Sequence, residues 1–325
     1  MRLGYFLSCE EFGPHELVRQ ATMAEQAGFD CLWISDHFHP WLDEQGNSPF
    51  VWSVIGALSQ VTALPITTAI TCPTTRIHPA VLAQASATAA VQCSGGFALG
   101  VGSGEALNEH VTGQRWPPVE VRLSMLAEAC EVIRKLHTGE EITHRGEYYT
   151  VENARLHTLP EQRIPVHVAG FGSRAARVAG ELGDGFCTMI PDSGLVRAFH
   201  SAGGEGKPAQ AGMKVCWAET EQQGAATARR LWGSELLPGT LPQTLPTPRD
   251  FASATELVTE DMAAEHFPCG PDPQRVLEAV QKFDDAGFDE LYLQQIGPEQ
   301  DRFFEAFSQH LAPRLRAGEH GRVNG

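Results

Sequence analysis

The residues best suited to chemistry lie in one short stretch, Ser35-Asp36-His37-Phe38-His39-Pro40-Trp41. An imidazole takes up and returns a proton near neutrality. Asp36 beside it is an orienting acid, and Trp41 supplies a flat aromatic wall. A lone His is more often structural than catalytic. His39, Pro40 and Trp41 change that balance, because three bulky groups just past a strand end cannot all enter a barrel core. Trp41 by itself also reads as core or as an oligomer contact. The His37-x-His39 spacing has no third ligand nearby, so metal binding has little support.

Three further strand ends carry reactive or anion-binding groups. Glu10 follows the first strand; its plain reading is an exposed loop acid. Gly102-Ser103-Gly104-Glu105-Ala106-Leu107-Asn108 places glycines between a strand and a helix, where backbone N–H groups approach an anion. A carboxylate directly after such a loop would repel a phosphate, so Glu105 is expected to face the reactive end of a bound ring. Gly170-Phe171-Gly172-Ser173 is a second cradle of this kind, or a plain turn; the two readings stand level.

The elements that must position these groups alternate regularly. Apolar runs at 3–7, 31–34, 65–70, 97–101, 166–169, 185–190, 214–218 and 290–296 read as strands that end abruptly in polar residues. Helical segments lie between them, among them 14–27, 50–63, 119–137, 273–286 and 299–311. Residues 141–151 read as a small hairpin. Ala27-Gly28-Phe29-Asp30 recurs as Ala286-Gly287-Phe288-Asp289, each time a helix stop before a strand. About eight βα units predict a single (β/α)8 TIM barrel over residues 1–325, with active groups at the carboxyl ends of its strands. A doubly wound sheet is the rival, but no GxGxxG follows the first strand. The prolines at 238, 242, 246 and 248 mark an insertion at about 234–260.

Composition narrows the partners. The net charge of −16, from 40 acidic and 24 basic residues, leaves no cationic surplus for nucleic acid or an anionic membrane. The N-terminus lacks a signal-peptide layout and no apolar stretch is long enough to span a bilayer, so a cytoplasmic protein is expected. The eight Cys are scattered with no CxxC pair, and read as small buried thiols rather than disulfides or zinc ligands.

With these residues in view, the sequence resembles the luciferase-like superfamily, in the branch of coenzyme F420 oxidoreductases related to F420-dependent glucose-6-phosphate dehydrogenase. The resemblance runs over nearly the whole chain. It is carried by Leu3-Gly4-Tyr5, Ser35-Asp36-His37-Phe38, Pro40-Trp41, Leu99-Gly100-Val101-Gly102, Gly104-Glu105-Ala106-Leu107-Asn108-Glu109, Gly183-Asp184-Gly185-Phe186 and Leu311-Ala312-Pro313-Arg314-Leu315. It implies a barrel, a homodimer, and a deazaflavin at the strands' carboxyl ends. Asp36, Ser103, Gly104 and Asn108 match positions that hold the cofactor. Phe171, Gly172, Arg174 and Ala175 match its tail site, and Ala69-Ile70 matches a non-prolyl cis peptide behind the ring. The resemblance makes His37 the base for a substrate hydroxyl and Glu105 a proton donor at the ring. Trp41 and Glu10 line the reacting carbon.

The sequence departs from that pattern in places. A Thr and a Lys expected after the sixth strand are replaced within Met189-Ile190-Pro191-Asp192. A second Lys is replaced near Glu265 and His266. These changes point away from glucose 6-phosphate, because a phosphate dianion needs cations. Ala69 stands for a Ser, Cys72 for a Thr and Phe171 for a Gly in the cofactor shell. The expected activity is hydride transfer between an alcohol or sugar carbinol and deazaflavin C5. The alternatives are a reductase of a carbonyl, imine or activated alkene, a flavin mononucleotide (FMN) monooxygenase, and a non-catalytic F420 carrier or sensor; retention of His37, Trp41 and Glu105 argues against the last.

Overall fold

The computed structural model describes the backbone of residues 1–322, with side chains to residue 317. Among the described residues, eight parallel strands close a barrel: β1 (Arg2–Leu7), β2 (Cys31–Ile34), β3 (Ile66–Thr68), β4 (Phe97–Val101), β7 (Val166–Ala169), β8 (Gly185–Thr188), β9 (Ala209–Val215) and β10 (Glu290–Gln295). Their order around the barrel follows the chain, and β10 closes on β1. The remaining strands, β5 (Ile142–Arg145) and β6 (Thr150–Ala154), form the antiparallel hairpin outside it.

Helices cover the outside: α1 (Pro14–Ala27), α2 (Val51–Leu58), α3 (Pro79–Gln92), α4 (Ala106–Glu109), α5 (Val119–Leu136), α6 (Ser173–Leu182) and α7 (Ser193–Phe199), followed by α8 (Glu221–Trp232), α9 (Leu241–Thr244), α10 (Pro248–Thr255), α11 (Glu260–His266), α12 (Pro273–Ala286), α13 (Gln300–Ala306) and α14 (Ala312–Arg322). Gly28 and Gly287 both end their helices in the left-handed conformation, at φ 89°, which a side chain would strain. The repeated Ala-Gly-Phe-Asp motif is therefore one helix stop used twice.

The barrel interior is layered. At the amino-terminal end, Gln210 donates to Glu290 (2.7 Å) and faces His167 Nδ1 at 2.9 Å, while Tyr292 donates to Glu290 (2.6 Å). Above this polar layer, Trp33 stacks on Tyr292 with centroids 4.2 Å apart, and Phe6 meets Trp33 edge-on. Gly212 is required at this level, because a Cβ there would meet the Trp33 ring at 2.9 Å and Met189 sulfur at 2.6 Å. Above the aromatic layer the barrel turns polar again, with Ser8, Ser35, Lys214 and Gln294 all buried.

Two expectations need correction. The seventh barrel strand was expected at 214–218, yet β9 runs from Ala209 to Val215. Its first half is small or polar because its side chains share the interior with Trp33 and Met189. The proline-rich segment was expected to break the rhythm without a regular unit. It instead forms a 3-10 turn (Gly233–Leu236) followed by α9, α10 and α11. Thr247 and Thr259 cap α10 and α11 through their hydroxyls, and Pro248 sits at the first turn of α10. No helix of the described residues is long and apolar enough to cross a membrane. All eight Cys are free thiols and buried.

Candidate active site

β1 and β2 are neighbours, and their ends meet. Glu10, 2% exposed, is no loop acid in solvent. Its Oε2 accepts hydrogen bonds from Ser8 (2.8 Å) and Ser35 (2.6 Å), and its Oε1 lies 3.5 Å from His37 Nε2. Ser35 in turn accepts from the Cys9 N–H, fixing the hydroxyl's direction. Trp41 closes on the imidazole with ring centroids 5.0 Å apart.

His37 Nδ1 has two neighbours of opposite sense: the His39 carbonyl at 3.2 Å and Asn108 Nδ2 at 3.1 Å. The Asn108 amide orientation is set by its oxygen, which accepts from the Phe38 and His39 N–H groups. With Nδ1–H donated to the His39 carbonyl, Nε2 presents a bare lone pair beside Glu10. A proton on Nε2 would lie between the ring and Glu10 Oε1. With the other tautomer, Nδ1 accepts from Asn108. His37 can therefore hold a proton on either nitrogen without moving its ring. His39 is held below its ordinary pKa by burial, then by His110 and His37.

The side chains of Asn108 and Asp36, both expected to hold the cofactor, also make contacts within the protein. Asn108 is occupied by the His37 loop. The Asp36 carboxylate is fully buried, accepting from Thr71 (2.8 Å) and pairing with Arg76 at 2.9 Å. Arg76 lies between Asp36 and Glu109, whose Oε2 accepts the backbone N–H groups of Thr75 and Arg76. Burial raises the Glu109 pKa, although Arg76 and these N–H groups oppose the shift. Asp36, Arg76 and Glu109 therefore bind the ends of β2, β3 and β4 into one unit.

The ends of β3, β4 and β7 lie side by side next to it. The Ala69–Ile70 peptide is cis. Ile70 packs against Gly102 so closely that a Cβ on Gly102 would lie 2.0 Å from Ile70 Cδ1. Gly104 has φ 82°, and Arg122 donates to its carbonyl (2.9 Å) while stacking over Trp116 at 4.4 Å. Ser103 and Glu105 are half-buried, and the Glu105 carbonyl accepts from the Asn108 (3.3 Å) and Glu109 (3.2 Å) N–H groups at the start of α4. Cys72 is buried, which pushes its thiol well up. At the end of β7, Gly172 starts α6 with no side-chain cap, and the position of its missing Cβ faces open space. Phe171 is exposed; Arg174 is exposed and paired with Glu120; Ala175 packs against Gly170. The residues at these strand ends suit a flat ring with an anionic tail: packed backbone for the ring, uncapped helix N–H groups for the anion.

The sequence did not single out Glu11, Arg76, Lys214, Trp232, Glu235 or Gln294. Glu11 accepts from Trp232 Nε1 (2.5 Å), from the Gly297 N–H (2.7 Å) and from Gln294 (3.4 Å). Burial nevertheless pushes its pKa up to about 7, against the pull of the Trp232 and Gly297 donors. A pair of acids after a strand was the one signal available. At the opposite end of the barrel, clefts of about 950 and 500 Å³ hold none of the candidate residues.

The structure is a closed parallel barrel with an acid–imidazole pair at the carboxyl ends of its strands. The chain belongs to the luciferase-like monooxygenase family, which it matches over residues 1–290. It is 36% identical to an F420-dependent glucose-6-phosphate dehydrogenase of Rhodococcus erythropolis, with 98% of each chain covered. It is 34% identical to one of Mycolicibacterium smegmatis, covering 97% of this chain and 98% of the other. Among solved structures it resembles an F420-dependent secondary alcohol dehydrogenase in complex with an F420-acetone adduct, at 30% identity and a TM-score of 0.87, covering 95% of this chain and 97% of that one.

Proposed function

We propose that this protein is an F420-dependent dehydrogenase that oxidises an alcohol without a phosphate group, or runs the same step in reverse. The observation that carries the reading is the His37–Glu10 pair beside Trp41, on the same rim as the ends of β3, β4 and β7. The relatives' F420 dependence and the alcohol dehydrogenase likeness support it. Deazaflavin, when bound, accepts or gives a hydride at C5.

The chain's own residues do the rest. Ser103, Gly104 and the cis Ala69–Ile70 segment would hold the ring; Phe171, Gly172, Arg174 and Ala175 would hold the tail. Nε2 of His37 takes the hydroxyl proton while Nδ1 donates to the His39 carbonyl, and Glu10 stabilises the imidazolium. Trp41 excludes water from the carbinol side. Glu105, half-buried just past β4, is the proton donor at the ring in this reading. The absence of phosphate rests on charge: Met189-Ile190-Pro191-Asp192 after β8 contains no cation, and Asp192 is used to cap α7.

The test is to mix the purified protein with oxidised F420 and a panel of neutral alcohols, free sugars and glucose 6-phosphate. Bleaching of the deazaflavin by neutral alcohols is expected, with little by glucose 6-phosphate. Efficient turnover of glucose 6-phosphate alone would overturn the substrate reading. The same proposal includes a cytoplasmic homodimer, supported by eight unpaired thiols and by exposed Phe38 and Phe50. A monomer in sedimentation velocity would remove the dimer.

A further inference from the structure

The polar layer above Trp33 contains a cation that the proposed reaction does not use. Gln210 and Gly212 face the barrel interior, so by strand alternation Lys214 does too. Its partner across the β9–β10 pair is Gln294. Lys214 and Gln294 are 7% and 1% exposed. Among the described residues Gln294 Oε1 has no hydrogen-bond partner, while its Nε2 reaches Glu11, next to Glu10.

This pair lies on the strands next to the reaction centre. β9, β10, β1 and β2 are consecutive around the barrel, so Lys214, Gln294, Glu10 and His37 lie along one arc of the mouth. Trp41 closes the same side, meeting Phe251 of α10 edge-on with ring centroids 5.2 Å apart. A substrate held by His37 and extending across the mouth would meet Lys214.

Lys214 does not face that space as a free charge. Its Nζ pairs with Glu235, from the turn before α9, and lies 4.2 Å over the Trp232 ring. Glu235 also faces His266 Nε2 at 3.4 Å. We propose that Glu235 is a specificity residue: it neutralises Lys214 and sets a carboxylate at the barrel mouth, so that alcohols carrying a phosphate or carboxylate are refused and uncharged ones admitted. Burial works against the Glu235 charge, but Lys214 and His266 outweigh it and hold its pKa down to about 2, so the carboxylate stays ionised at any working pH. Like charge beside a ligand anion costs binding, and removing it frees the ammonium to bind that anion.

This inference deepens the proposed function and rests on it for the word alcohol, so its test has an arm that does not depend on turnover. Inorganic phosphate is titrated into the apoprotein by calorimetry, for the unaltered chain, Glu235→Gln, and the double variant Lys214→Met with Glu235→Leu. Expected is at least tenfold tighter phosphate binding by Glu235→Gln, lost again in the double variant. With F420 present, the ratio of kcat/KM for lactate, 3-hydroxybutyrate and glucose 6-phosphate to that for 2-propanol should rise at least tenfold in Glu235→Gln only. Thermal melting verifies that each variant is folded; Glu235→Ala, which also frees Lys214 and is expected to gain phosphate binding to the same extent, takes the place of Glu235→Gln if that variant is unstable. Unchanged phosphate binding in folded Glu235→Gln, or an equal gain in the double variant, would overturn the proposal. Tighter phosphate binding with no turnover of any alcohol would leave the gate standing and bring down the dehydrogenase reading.

Discussion

Replacing Glu11 by Gln should remove a pH dependence of stability that the unaltered protein shows between about pH 4.5 and 7. The Glu11 carboxyl is buried and its pKa is raised from 4.5 to about 7. Such a displacement is worth about 3 kcal/mol, at roughly 1.4 kcal/mol per unit. The sign follows from proton counting. In this window the folded state holds a proton at Glu11 that the unfolded state has released, so stability is full below pH 4.5 and declines as pH rises through 7. Gln cannot titrate, and its amide nitrogen cannot accept as the second carboxyl oxygen does. The variant should therefore be less stable at pH 5, by about 1–3 kcal/mol for one unsatisfied donor among Trp232 and Gly297. It should then lose about 3 kcal/mol less than the unaltered protein on going to pH 8. Urea unfolding followed by tryptophan fluorescence at several pH values measures both. Parallel stability–pH curves for the two proteins would refute the argument.

Asn108→Leu should leave the Phe38 and His39 N–H groups without their acceptor, costing about 1–3 kcal/mol. Because His37 Nδ1 loses a neighbour too, kcat should fall more than KM changes, which steady-state kinetics would show. Arg76→Met should leave Asp36 and Glu109 buried without their counter-ion, destabilising by about 3–5 kcal/mol in urea unfolding. A loss under 1 kcal/mol, about what an exposed pair gives, would mean the pairing is not what holds those strand ends. Lowering pH from 4.5 to 2 should remove the contribution of Glu235, whose depressed pKa stabilises the fold above 4.5; Glu235→Gln should show a shallower acid transition.

The barrel was legible because each strand is an apolar run that stops at a polar residue, and because glycine ends helices visibly at Gly28 and Gly287. β9 was misplaced because Ala209-Gln-Ala-Gly lacks β-branched residues; what makes it a strand is the room it leaves for Trp33. The insertion was misread because its prolines were taken as breakers, when Thr247-Pro248 is a helix start. In the site, Glu10, His37, Trp41 and Glu105 could be picked out since each lies at a strand end. Glu11 with Trp232, and Lys214 with Glu235, join residues far apart in sequence, and no local spacing encodes such pairs. The same distance hid the role of Asn108, whose partners are at 37–39.

The account rests most heavily on proton removal by His37, and comparing His37→Ala with the unaltered protein addresses it directly. F420 binding, measured by fluorescence titration, should be retained, while turnover with the best neutral alcohol should fall by roughly two orders of magnitude. Turnover at the original rate with the imidazole gone would contradict it.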